Sequence, residues 1–282
     1  MIHRKKIYRT LFLALAVSSC VKQQFNTPSL AEFSTPAGGN TGTYYVPDSA
    51  STLFKIPVGF TTAVDRDRIL TFKISSPTGA QQGRQYTIDS LSIRIPSGKV
   101  LDSIAVKGIY DGIPAGEVDT LLFTLAGGDA TIFAAGSTYT LILKKYCSVV
   151  LDAFTGDFMH CRDEDAYGYQ TDDYTVNIAA VPTGPFSATL NIKNLSGGYF
   201  GPFAPPDPVM DPGITVAIDW SDPGNFTALL PTQPFYFDHV YGPAEMNIAA
   251  GSFSACNNSL ILKYSVVVAA GSFGRFVTTL ER

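Results

Sequence analysis

The chain has 282 residues, with 20 Lys and Arg against 24 Asp and Glu. A formal charge of −4 and no basic run in the body argue against nucleic acid and anionic membrane surfaces as partners. Its longest leading apolar run, Leu11 to Val17, is too short to span a bilayer, and no later segment qualifies either.

From the start of the chain, His3, Arg4, Lys5, Lys6 and Arg9 precede that apolar run, which is the layout of a secretory signal. The run closes in Val17-Ser18-Ser19-Cys20, where an ordinary signal carries a small-x-small cleavage site. This ending resembles the lipobox of bacterial lipoproteins. The resemblance implies removal of residues 1–19, lipidation of Cys20 and a lasting membrane anchor, because two or more acyl chains hold where one does not. Loss of Arg4, Lys5, Lys6 and Arg9 moves the formal charge from −4 to −8. Residues 20–42 read as the lipidated cysteine and a flexible tether rich in Gly, Pro, Ser and Thr.

Strict alternation of apolar residues then takes over. Phe54, Ile56, Val58 and Phe60 share a face, as do Leu70, Phe72 and Ile74; Leu91, Ile93 and Ile95; Leu121, Phe123 and Leu125; and Tyr139, Leu141 and Leu143. Turn chemistry separates the runs at 77–79, 96–98 and 127–129. The pattern predicts an immunoglobulin-like β-sandwich over 43–146. From 147 to 282 a second antiparallel β domain follows, a meander or small barrel, with strands around Val176, Leu190, Val216, Ala228, Leu262 and Thr278. The segment Cys256 to Ser259 reads as a hairpin connection, and the proline-rich stretch from Gly201 to Pro208 as a long loop.

After the signal, the cysteines are Cys147, Cys161 and Cys256. Export permits a disulfide, and Cys147 with Cys256 is the expected pair, since they lie at the opening of the second domain and near its last hairpin. Zinc fails on spacing, for there is no CxxC and Met159-His160-Cys161 reads as a loop.

Gly83 to Thr87, Leu91 to Lys99, Ser103 to Val106 and Tyr110 to Leu121 together are similar to the Calx-beta repeat, in the order that family shows them. The resemblance implies an immunoglobulin-like sandwich and a calcium site formed by Asp111, Glu117 and Asp119, joined by Asp65 or Asp67. Solvated loop carboxylates are the competing reading. The whole layout resembles envelope lipoproteins of Bacteroidota, which implies an outer-membrane location. Val21 to Phe25 carries no acidic residue, which leaves the facing, periplasm or cell surface, open.

No Gly-x-Ser-x-Gly elbow, phosphate-cradling loop or HExxH occurs. A pair of catalytic carboxylates among Asp157, Asp163, Glu164 and Asp165 is the remaining enzymatic option, set against a solvated charged loop. The function expected is therefore a lipid-anchored, non-enzymatic module that binds a glycan or a protein partner. Tyr167, Tyr169, Tyr199, Phe200 and Phe203, placed in loops, are its expected stacking surface. A structural envelope role without a ligand and a glycan-active enzyme are the alternatives.

Overall fold

The computed structural model describes residues 29–34, 39–48, 52–129, 131–201, 213–238, 240–247 and 250–282. Cys20 and Phe203 lie outside these residues, as does most of the proline-rich stretch after Gly201. The described chain is all β, and no helix in it is long and apolar enough to cross a membrane.

The first unit comprises β1 (Leu30–Phe33), β2 (Thr41–Pro47), β3 (Phe54–Phe60), β4 (Arg68–Ser75), β5 (Tyr86–Thr87), β6 (Ser92–Ile95), β7 (Leu101–Gly108), β8 (Val118–Gly128), β9 (Thr131–Ile132) and β10 (Thr138–Tyr146). They form two sheets, ordered β5-β7-β3-β1-β9 and β2-β10-β8-β4-β6. The alternating rows meet between the sheets: Ile56, Val58 and Val106 from one share a core with Leu70, Phe72, Leu121, Phe123 and Leu141 from the other. Burying each such side chain contributes about 1.5–3 kcal/mol, which is why the period-two pattern specifies the register.

Within 20–42, the stretch expected as a tether, the described residues include strand: β2 opens at Thr41, and a further strand lies upstream of it. Leu30–Phe33 forms β1, antiparallel to β3 with Ala31 opposite Phe60, and parallel to β9. Ala31 and Phe33 are buried. Two inward positions are too few to register as a periodicity, so the pairing is dictated by tertiary contact alone.

The second unit comprises β11 (Gly156–Asp165), β12 (Tyr174–Gly184), β13 (Ser187–Lys193), the short helix α1 (Gly197–Phe200), β14 (Ile214–Asp219), β15 (Thr227–Leu229), β16 (Gln233–Asp238), β17 (Gly242–Asn247), β18 (Ala250–Ser254), β19 (Ser259–Val268) and β20 (Gly271–Glu281). Eight of these strands close into an antiparallel barrel in the order β11-β12-β13-β14-β15-β18-β19-β20, with β20 returning to β11. The β16–β17 hairpin joins the later half of β19, where Glu245 to Asn247 pair with Val267 to Ser265. Between meander and barrel, closure decides for the barrel, and it leaves the eight strands no open edge to guard.

Inward rows such as Val176 and Ile178, Leu190 and Ile192, and Leu260, Leu262 and Val266 fill the interior. Aromatic rings stop both ends. Phe154, Trp220, Phe226 and Phe253 cluster near the start of β19, and Tyr199, Phe200, Phe235, Phe273 and Phe276 near its finish. The sandwich joins the first end: Cys147 is bonded to Cys256 on the β18–β19 turn, and the Tyr146 and Phe226 rings meet edge-on at 6.2 Å. A ten-residue strand rises about 34 Å, so the second end is remote from the junction.

Candidate binding site at the far end of the barrel

The charged run Arg162-Asp163-Glu164-Asp165, expected as a solvated loop, is the last part of β11, and Met159-His160-Cys161 lies on the same strand. An irregularity between Phe158 and Cys161 leaves Met159 and His160 both exposed, after which Cys161 and Asp163 point inward and Arg162 outward. Asp163 is fully buried. Of the four carboxylates weighed as the enzymatic option, Asp163 faces the interior, Asp157 holds Asn177 and Asp165 caps a turn.

Among the described residues, the Asp163 carboxylate is held by hydrogen bonds from neutral donors. Oδ1 accepts from the Tyr174 hydroxyl at 2.8 Å and the Thr278 hydroxyl at 2.6 Å, and Oδ2 accepts from the Tyr199 backbone N–H at 3.0 Å. The Tyr174 oxygen accepts from the Ser196 N–H at 3.0 Å, and Tyr264 shares a 2.7 Å hydrogen bond with Thr278. Burial pushes the Asp163 carboxyl above its usual range against the pull of these donors, and it raises the Tyr174 and Tyr264 hydroxyls as well. The network reaches the backbone on both sides of Gly197 and so fixes α1 over the barrel mouth. Nearby Cys161 is buried and free, its thiol pushed up to about 11 by desolvation, which makes it unreactive.

With α1 fixed, aromatic rings run continuously across the mouth. Tyr169 meets Tyr199 at 6.3 Å, Tyr199 meets Phe200 at 5.2 Å, Phe200 meets Phe273 at 5.9 Å, and Phe273 meets Tyr241 at 5.7 Å. Of the five aromatics expected on one surface, the four among the described residues separate by role. Phe200 is buried, a correction forced by its packing against Phe235, Phe273 and Phe276. Tyr199 is half-buried. Tyr167 and Tyr169 stay in solvent, at 96% and 60% exposure. Their turn is nevertheless pinned: Asp165 Oδ1 accepts the N–H groups of Tyr167 at 2.8 Å and Tyr169 at 3.0 Å, and Gly168 takes the φ of +83° that such a turn needs.

On the outer wall beside this hairpin lies a polar cleft of about 360 Å³, lined by His160, Arg162, Glu164, Gln170, Asp173 and Thr279 among others. Asp173 organises it. One of its oxygens meets His160 Nδ1 at 2.9 Å and the other takes the Arg162 Nε donor, and these two contacts hold the carboxyl below the usual carboxylate range. Gln170 Nε2 donates to Glu164 Oε2 at 2.9 Å. Sequence reasoning missed this cleft; the alternation His160-x-Arg162-x-Glu164 was its signal, masked by charge at every second position.

The structure does not gather the carboxylates that the Calx-beta resemblance assigned to calcium. Among the described residues no group of three or more His, Cys, Asp or Glu side chains is placed to hold a metal, so Asp111, Glu117 and Asp119 do not converge. Asp119 is buried and accepts from Thr78 Oγ1 at 3.1 Å, while Asp111 and Glu117 stay in solvent. Asp67 is taken up by Arg94 and by the Ser97 N–H.

No family model matches the chain, and neither does any curated protein. Solved structures with a similar course include the apo-form Calx CBD1 domain, at 14% identity and a TM-score of 0.34, covering 42% of this chain and 98% of that one. A candidate carbohydrate-binding protein from Bacteroides ovatus aligns at 11% identity and a TM-score of 0.37, over 87% of this chain and 69% of its own. A two-domain protein of unknown function from Bacteroides fragilis aligns at 10% identity and a TM-score of 0.34, over 100% and 94%. All three are too distant to carry a role across to this chain.

Proposed function

We propose that this protein is a lipid-anchored module of the bacterial envelope whose far barrel end binds a glycan, without acting on it chemically. The observation that carries the reading is the pair Tyr167 and Tyr169, two exposed rings on a turn held by Asp165. Exposed aromatic faces cost solvation free energy, and a pinned pair loses little entropy when a flat apolar sugar face stacks on it. The adjoining cleft supplies the polar partners that sugar hydroxyls require. Lipidation of Cys20, read from the sequence, would leave the barrel end free to face its ligand, because the sandwich occupies the opposite end.

Two experiments test this. Full-length protein in detergent is applied to an array of immobilised oligosaccharides, where reproducible binding to a defined structural set is expected and a blank array would refute the reading. For the anchor, Cys20→Ser is expected to release the protein from the membrane fraction, and continued sedimentation with membranes would refute lipidation.

A further inference from the structure

We propose that the cleft on the outer face of β11 and β20 takes adjacent hydroxyl groups of an uncharged saccharide, a specificity that rests on the glycan reading above. The register builds the cleft as a ladder. His160 lies opposite Glu281, Arg162 opposite Thr279 and Glu164 opposite Val277. Outward positions two apart on a strand are separated by about 6.8 Å, so the ladder extends about 14 Å toward the turn that carries Tyr167.

Along this ladder donors and acceptors alternate. Asp173 engages His160 through Nδ1 and Arg162 through Nε, so neither the imidazole Nε2 nor the terminal guanidinium nitrogens are used in these two contacts. Gln170 holds one oxygen of Glu164 and leaves the other to accept. A hydroxyl donates one hydrogen bond and accepts two, so neighbouring hydroxyls satisfy Arg162 and Glu164 at once. A carboxylate or sulfate has no hydrogen to give to Glu164.

Charge points the same way. Asp173 balances Arg162, and Glu164 and Glu281 remain without a cationic partner among the described ion pairs. Asp173, Glu164 and Glu281 outnumber Arg162 and His160 in its lining, so the cleft is negative and repels an anionic sugar. Tyr167, at the tip of the hairpin whose sides bear Glu164 and Gln170, offers the apolar contact at the end of the ladder.

The test compares a panel of neutral oligosaccharides with a panel bearing uronate or sulfate groups, applied to the full-length protein. Binding confined to the neutral panel is expected. Glu164→Ala and Arg162→Ala should each weaken it about tenfold, since each removes a hydrogen bond to a charged group, with the thermal midpoint held within a few degrees. Equal binding of the anionic panel, or neutral binding indifferent to both substitutions, would overturn the assignment while leaving glycan binding itself intact. Silence of both panels would remove the glycan reading and this inference together.

Discussion

Asp163 occupies the same inward row as Phe158 and Cys161, yet it brings a carboxyl group into the barrel with no cation beside it. Three donors compensate for the water it has lost, and their geometry locks Tyr199 above the mouth. Its folded-state pKa stands above the ordinary carboxylate value of 3.8, so the native protein keeps this proton to higher pH than the unfolded chain does. The group's contribution to stability therefore falls as pH rises from 3.8 through the raised value, and above that window the charge is a constant cost. Asp163→Asn should destabilise the protein by about 1–3 kcal/mol at pH 4, through a donor set that an amide cannot fully satisfy. The deficit should shrink toward pH 8, as denaturant unfolding across that range would record. A deficit that widens with pH would mean the carboxylate is favoured as an anion.

At the scale of elements, the strands whose inward rows are wholly apolar are legible from the chain. Ile56 and Val58, Leu121 and Phe123, and Leu190 and Ile192 alternate without interruption, and the structure buries all of them. β11 is illegible for a physical reason. Its irregularity at Phe158–Cys161 breaks the period, and its next inward position is a carboxylate whose partners, Tyr174, Thr278 and Tyr199, come from distant segments. β1 is too short to show a period, β16 is interrupted by Pro234, and β18, with Gly251, lacks strand composition. The same holds for the site: Tyr167 and Tyr169 are visible as loop aromatics, whereas the cleft depends on β11 being a strand. The turn between them is testable. Gly168→Val places a branched side chain at φ +83° and should cost about 1–3 kcal/mol in thermal unfolding, while loosening Tyr167 and Tyr169. An unchanged midpoint would show that the turn does not hold this conformation.

For the whole molecule, the decisive feature is that, among the described residues, sandwich and barrel are joined at one end of the barrel. Cys147, one residue after β10, is bonded across a separation of 109 residues to Cys256, and Tyr110 meets the Cys147 sulfur at 3.2 Å. A cross-link closing so long a loop removes about 2–5 kcal/mol of freedom from the unfolded chain. Reduction, or Cys147→Ser, should lower the unfolding midpoint accordingly, and an identical midpoint in reductant would exclude the bond from the stability of the fold. The coupling leaves the opposite mouth unobstructed by the sandwich, which is where the aromatic turn and the polar cleft lie. The central claim is that this mouth holds a sugar through Tyr167 and Tyr169. Its most direct measurement is an equilibrium titration of the strongest oligosaccharide ligand against the native protein and Tyr167→Ala/Tyr169→Ala. A fall in affinity of about fivefold or more with unfolding unchanged is the predicted result, from the loss of about 1–3 kcal/mol of stacking; equal affinity in the two proteins would contradict it.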